Sequence, residues 1–130
     1  ILNFFPEAAH KNVLMNLALN LRAVVSQRLV EGIDGRRIPA TEVLINTPMI
    51  RDLLRRGQVH EIKQAMEDSL EEGVESFDQC LFRLYKEGRI ERETALRAAD
   101  SRDGLDLKFR LSEGGTGSHD PYADVFATEQ

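Results

Sequence analysis

The sequence predicts a mixed α/β chain built as a helix, a β-hairpin and a compact group of short helices. Three observations carry this reading. Residues 8–22 show an i, i+3, i+4 apolar stripe, β-branched runs flank an Asp-Gly pair at 34–35, and several later apolar segments open on a capping residue and close on glycine. At 130 residues the chain suits about one domain with a modest core. Hydrophobic residues at 42% and charged residues at 30% argue against wholesale disorder, a collagen-like repeat or a disulfide scaffold.

In the first helix Val13, Leu14, Leu17, Ala18 and Leu21 share a face, and Asn16, Asn20 and Arg22 lie off it. From Ala23 to Val30 the chain becomes β-branched, Glu31-Gly32-Ile33-Asp34-Gly35 supplies turn chemistry, and Ile38 to Asn46 contains Val43-Leu44-Ile45, which together predict a hairpin over 23–46. Thr47-Pro48 is a helix start: the hydroxyl accepts from a free amide, and proline is tolerated where its missing N–H would be unpaired. Met49, Ile50, Leu53 and Leu54 form that helix's apolar face, and Gly57 ends it.

A further helix is predicted from Gln58 to Glu72, with Ile62, Ala65, Met66 and Leu70 inward and Gly73 as the stop. Ser76-Phe77-Asp78-Gln79 has the capping-box pattern, and the helix it opens buries Phe77, Leu81, Leu84 and Cys80 before stopping at Gly88. A short helix over 92–99 follows, with Ala95, Leu96 and Ala99 inward. Leu105, Leu107, Phe109 and Leu111 then alternate with Asp106, Lys108 and Arg110, a period of two that predicts an extended segment with one apolar face. Residues 112–130 are poor in apolar side chains and contain Gly114-Gly115-Thr116-Gly117-Ser118, so they read as a flexible tail.

The net charge of −5 is unevenly placed: residues 1–57 hold eight basic and five acidic groups, and residues 58–130 hold nine basic and seventeen acidic ones. Such a split suits head-to-tail packing of identical subunits, and equally suits solvated surfaces. The chain starts on Ile1 inside an apolar cluster and its first methionine is Met15, so it reads as a piece of a longer protein. Cys80 is the only cysteine, which excludes an internal disulfide and a cysteine-based zinc site and points to a reducing compartment. The longest apolar runs fall far short of the roughly 20 residues of a membrane span.

Catalytic chemistry is not legible in these residues. A phosphate cradle of the G-x-x-x-x-G-K-[ST] type is absent, as are G-x-G-x-x-G and G-x-S-x-G, and the glycines at 114–117 read as a linker. His10, His60 and His119 lie in separate segments, and H-E-x-x-H would need a histidine where Gln64 stands. Glu67, Asp68, Glu71, Glu72 and Glu75 read as a solvated face, and Cys80 as a small buried hydrophobe. No catalytic residue and no metal site is therefore predicted. Arg51, Arg55 and Arg56 cluster on the Thr47-Pro48 helix. Arg51 and Arg55, four apart, share a face that can meet phosphate, a carboxylate on a neighbouring subunit, or water. The acidic balance and the lack of interleaved aromatics argue against nucleic acid as a partner.

Four segments carry a family resemblance. Ile1-Leu2-Asn3-Phe4-Phe5-Pro6-Glu7 resembles the stretch that follows the Walker B and His-box region in secretion ATPases, and Val25-Ser26-Gln27-Arg28-Leu29-Val30 resembles one of their strands. The run from Glu42 to Arg55 resembles a segment of the type IV pilus retraction ATPases, and Ser76-Phe77-Asp78-Gln79-Cys80-Leu81 is similar to one of their helix starts. The Phe77-Asp78-Gln79 variant and the Leu-x-Leu-x-Phe-x-Leu ending resemble the PilU-type branch more than the PilT-type branch. The family's retraction motif, A-I-R-N-L-I-R-E, falls on Met49 to Arg56: Ile50, Arg51, Leu53 and Arg55 match it, and Met49, Asp52, Leu54 and Arg56 depart from it. Arg56 in place of an acid puts a salt bridge at that position in doubt.

The resemblance implies the last strands of a RecA-like P-loop NTPase sheet over 1–46, a mostly helical C-terminal subdomain over 47–111 and the tail over 112–130. It implies a cytoplasmic hexamer, peripheral at the inner membrane, that uses ATP and Mg²⁺ to drive pilus retraction and twitching motility. Its implied partners are an inner-membrane platform protein and a paralogous retraction ATPase. On this view Ile50, Arg51, Leu53 and Arg55 serve coupling or subunit contact, and Arg28 is either nucleotide-proximal or part of a structural ion pair. The fragment, lacking Walker A, is expected to bind no cofactor and to be inactive alone. A related type II secretion or DNA-transfer ATPase, and a stand-alone interaction module, are the alternative readings.

Overall fold

The computed structural model describes residues 1–114. Two single 3₁₀ turns, Leu2–Phe4 and Glu7–Ala9, lead into α1 (His10–Asn20). The hairpin follows as β1 (Ala23–Glu31) and β2 (Arg37–Ile45), antiparallel in the register Ala23↔Ile45 through Glu31↔Arg37. Gly35 takes a φ of 79° in the connecting turn, and Asp34 Oδ1 accepts from the Arg36 N–H at 3.0 Å. Glycine has no Cβ to clash at that angle, so the Asp-Gly signal in the sequence is met by its usual turn chemistry.

Beyond the hairpin lie α2 (Pro48–Arg55), a 3₁₀ turn at Val59–Glu61, α3 (Ile62–Glu67), α4 (Phe77–Lys86), α5 (Arg92–Ala98) and α6 (Arg102–Gly114). The predicted caps are present. Thr47 Oγ1 accepts from the Ile50 N–H at 3.3 Å, and Ser76 and Gln79 close the reciprocal box at 2.9 and 3.2 Å. Caps of this kind stabilise a helix by about 1 kcal/mol each.

Two cores hold the elements together. Ala18 of α1 with Ile50, Leu53 and Leu54 of α2 forms one, flanked by Leu14, Leu17, Leu21, Leu44 and Ile62. Val30 and Ala40 of the hairpin join Phe77, Cys80, Leu81, Leu84, Ile90, Leu105 and Phe109 in the other. Each core therefore combines residues from both sides of position 46.

Three expectations are corrected. Residues 105–111 are not extended: they lie in α6, where Leu105 and Phe109, four apart, are 1% and 0% exposed, while Leu107 and Leu111 are 56% and 69% exposed. Only the i, i+4 half of the alternation is apolar contact, and the helix is fixed by Ser101 Oγ accepting from the Gly104 N–H at 3.3 Å and by the Arg110–Asp106 ion pair at 2.7 Å. The tail reading is corrected where it overlaps, since residues 112–114 complete α6; residues 115–130 lie outside the described residues.

The helix expected over 58–72 is instead a 3₁₀ turn plus α3, which ends at Glu67. Leu70, expected inward, is fully exposed. Ser69 Oγ accepts from the Glu71 N–H at 3.1 Å, a local bond that competes with helix continuation, and Glu75 then pairs its backbone with Val43 at the outer edge of β2. Because Val43 turns its own N–H and C=O toward Glu75, its partner Val25 turns those of β1 outward as well. Among the described residues no strand pairs with that edge of β1.

Candidate functional site

The retraction-motif residues divide according to the face of α2 they occupy. On α2, Ile50 and Leu53 are 3% and 4% exposed in the core shared with α1, whereas Arg51 and Arg55 are exposed. The side chains of Ile50 and Leu53 therefore hold α2 in place, and the surface of the motif consists of its polar positions together with Met49. Arg56, whose salt bridge was in doubt, is paired: its Nη2 lies 2.7 Å from Asp52 Oδ2, four residues earlier. Arg51 borders a cleft with Asn20, Arg22 and Asn46. Its geometric companion there is Arg22, which the spacing along α2 could not reveal.

Arg28 sits at a junction of three elements. Its Nη2 lies 2.8 Å from Asp100 Oδ1, its Nη1 donates to the Ala98 carbonyl at 3.1 Å, and its guanidinium carbon lies 4.0 Å above the Phe77 ring. Lys63 of α3 reaches the other Asp100 oxygen at 2.9 Å. One carboxylate in the α5–α6 connection thus ties the hairpin to α3. Burial alone would raise the Asp100 pKa, but the hydrogen bonds and charges of Lys63 and Arg28 outweigh it and hold the carboxyl below its ordinary range. Of the two readings that the sequence left for Arg28, the ion pair is present.

Asp78 is the residue that sequence reasoning missed. It is 3% exposed, and its two oxygens accept from the Asp100 and Ser101 N–H groups at 2.8 and 2.9 Å. The signal was available: an acid in the first turn of a capping-box helix, with the apolar Leu81 and Phe82 three and four positions on, lies on the apolar side of that helix. Between α5 and α6, Arg92 bridges Asp106 at 2.7 Å and Glu113 at 2.9 Å, and the hydrogen bond from Arg92 lowers the Asp106 pKa.

Among the described residues, His10, His60 and Cys80 form no reactive cluster. His10 Nε2 lies 3.0 Å from the Phe5 carbonyl, His60 is exposed beside Glu61, and His119 lies outside the described residues. Cys80 is buried, with its Sγ accepting from the Thr41 N–H and the Arg83 guanidinium, both at 3.4 Å. Among the described residues no group of histidine, cysteine and carboxylate side chains is arranged to hold a metal ion, and no helix is long and apolar enough to cross a membrane. Arg28 is already engaged by Asp100, Ala98 and Phe77, and the chain has no glycine-rich loop followed by Lys-Ser/Thr, so these residues do not by themselves fit a nucleoside triphosphate.

The chain overlays on a solved structure, the crystal structure of the pilus retraction motor PilT with bound ADP. The TM-score is 0.70 at 31% identity, covering 82% of this chain and 29% of that one. This is the fold of a segment of a pilus retraction motor. By sequence, the chain is 46% identical over 120 residues to the type IV pilus ATPase PilU of Pseudomonas aeruginosa, a match covering 92% of this chain and 31% of that protein. It is 34% identical over 99 residues to PilT of the same organism, covering 76% of this chain and 29% of the relative. The chain belongs to the PilT/PilU family of type IV pilus ATPases and corresponds to a C-terminal segment of such a protein. It spans about three tenths of the length of the curated relatives it matches. No protein-family model matches it.

Proposed function

We propose that the chain is the coupling and subunit-assembly portion of a hexameric ATPase that powers type IV pilus retraction and twitching motility. The observation that carries this reading is the 46% identity to a type IV pilus ATPase over nearly the whole chain. ATP and Mg²⁺ would be held by residues upstream of the segment matched here. The open edge of β1 supports this division, because further strands of a RecA-like sheet would add to it by ordinary backbone pairing. In this reading Arg28 lies toward the nucleotide end of the sheet and acts through Asp100, tying movement of the hairpin to α3 and the α5–α6 connection. Coupling of this kind needs packed, rigid elements between the sites, and the two cores supply them.

Arg51 and Arg55 are the proposed contact residues, on an α2 held in register by Ile50 and Leu53. The force-receiving partner in this proposal is an inner-membrane platform protein, a paralogous retraction ATPase works beside the motor, and the assembly sits at the cytoplasmic face of the inner membrane. Changing Arg51 and Arg55 to Ala in the complete motor should abolish twitching while leaving the protein folded and its ATP hydrolysis measurable. Wild-type twitching in that variant would refute the contact role. The 130-residue chain alone should not hydrolyse ATP, and turnover by it would overturn the assignment of catalysis to upstream residues.

A further inference from the structure

The cleft beside Arg51 carries a second reading, independent of the motor assignment. It has a volume of about 450 Å³ and lies where three segments meet: the end of α1, the start of β1 and the start of α2. Its construction follows from the backbone. The Asn46 N–H donates to the Arg22 carbonyl at 3.0 Å, which brings the entry of β1 against the exit of β2. One residue later Thr47 caps α2, and the Arg51 N–H donates to the Thr47 carbonyl at 2.9 Å, placing Arg51 one turn above the same point. Two arginines 29 positions apart thereby border one small cleft.

Neither guanidinium is neutralised within the cleft. Its lining contains no aspartate or glutamate, and among the described residues neither Arg22 nor Arg51 takes part in an ion pair or side-chain hydrogen bond; Arg36, Arg37, Arg55 and Arg97 are likewise without one, but do not border this cleft. A second, independent observation points the same way. Asn46, 8% exposed, spends both amide protons on the Ala18 and Leu21 carbonyls at 3.2 and 2.9 Å, and its Oδ1 is buried without a donor. A buried acceptor without a partner carries a desolvation cost, and a guanidinium turned into the cleft would relieve it. Each guanidinium has five N–H donors in a planar fork, enough to bond Oδ1 and still present a pair to a ligand.

We propose that Arg22 and Arg51 form a two-pronged receptor for an oxyanion, the carboxylate or phosphate group of a ligand, with Asn46 anchoring one prong from within. Two cations bordering a small cleft repel each other until an anion enters, and paired guanidinium groups match the planar spacing of carboxylate and phosphate oxygens. The carboxylate could be a side chain on a protein partner and the phosphate a free one; the chemistry at the two arginines is the same.

The test follows the side-chain amides of Asn20 and Asn46 and the Nε–H groups of Arg22 and Arg51 by ¹H–¹⁵N NMR. The chain is titrated with inorganic phosphate, and separately with acetate, at constant ionic strength. Saturable shifts confined to these groups are expected. Arg22→Gln and Arg51→Gln should each raise the midpoint about tenfold, and Arg36→Gln, at the exposed hairpin turn, should leave it unchanged. All three sites are exposed, and the backbone spectrum checks that each variant is folded. A phosphate midpoint about tenfold below that of acetate assigns the phosphate source; comparable midpoints assign a carboxylate. Shifts spread over every exposed arginine, an equal loss in Arg36→Gln, or no saturable shift with either anion would overturn the site.

Discussion

Arg56 and Asp52 face each other across one turn of α2, with 2.7 Å between Nη2 and Oδ2. Both are departures from the retraction motif, which has an amide and an acid at these positions. In this chain the acid has moved one turn toward the N-terminus and a cation stands last. An acid preceding a cation by four residues is the favourable order on a helix, and a cation at the C-terminal end meets the negative pole of the helix dipole. The two departures compensate one another inside the helix, so the motif's surface changes while its fold does not.

This compensation predicts non-additive stabilities. Arg56→Glu alone places two carboxylates at i, i+4 and should cost about 0.5 kcal/mol, whereas Asp52→Asn combined with Arg56→Glu, the family's own pair, should recover most of it. Urea midpoints for the wild type, the two single variants and the double variant measure the coupling. Strictly additive effects would mean that the two side chains do not act as a pair.

Asp78 should behave as a structural acid despite its charge. Replacing it with Ala orphans the Asp100 and Ser101 N–H groups in a site that is 3% exposed, for an expected loss of about 2–3 kcal/mol. Asp78→Asn keeps one acceptor oxygen and should fall between. Chemical denaturation separates these outcomes, and an Ala variant within about 0.5 kcal/mol of wild type would remove Asp78 from the frame of the α5–α6 connection.

What the sequence disclosed and what it withheld follow from the range of the interactions involved. Local chemistry was readable: Thr47-Pro48, the Ser76–Gln79 box and the Asp34-Gly35 turn act within a few residues of themselves. The motif division on α2 was partly readable, since i, i+3, i+4 spacing puts Ile50, Leu53 and Leu54 on one side. Contacts such as Arg28–Asp100, 72 positions apart, leave no periodic trace, and neither does the approach of Arg22 to Arg51. The error at 105–111 had a different source. Leu105 and Phe109 satisfy both a period of two and an i, i+4 spacing, and Leu107 and Leu111 tipped the count toward a strand although neither is buried.

The same ambiguity supplies a discriminating experiment. In a helix Leu107 and Phe109 point in different directions, and only Phe109 reaches the core, stacked 5.6 Å from Phe82 and edge-on to Tyr85 at 4.6 Å. Phe109→Ala should cost about 3–5 kcal/mol, by lost burial and the cavity left behind, and Leu107→Ala less than about 0.5 kcal/mol. Comparable costs at both positions would favour the extended alternative, in which all four apolar side chains share one buried face.

The Asp100 clasp predicts how the fold responds to acid. Its carboxyl is held below the ordinary value of about 3.9 because the Lys63 and Arg28 interactions outweigh burial, so the folded state releases the proton more readily than the unfolded one. A depressed folded pKa contributes stability that is fully present above the unfolded value, declines as pH falls below about 4, and is gone below the folded value. Asp100→Asn should therefore lower stability at neutral pH and flatten this part of the acid limb. Asp106, lowered by the Arg92 hydrogen bond, contributes to the same limb, so a residual slope should remain in Asp100→Asn and diminish in the double variant with Asp106→Asn. Thermal melts from pH 7 to pH 2 read both effects. Parallel acid limbs for wild type and Asp100→Asn would show that Arg28 and Lys63 do not favour the ionised carboxylate, and the clasp would then join the hairpin to α3 by packing alone.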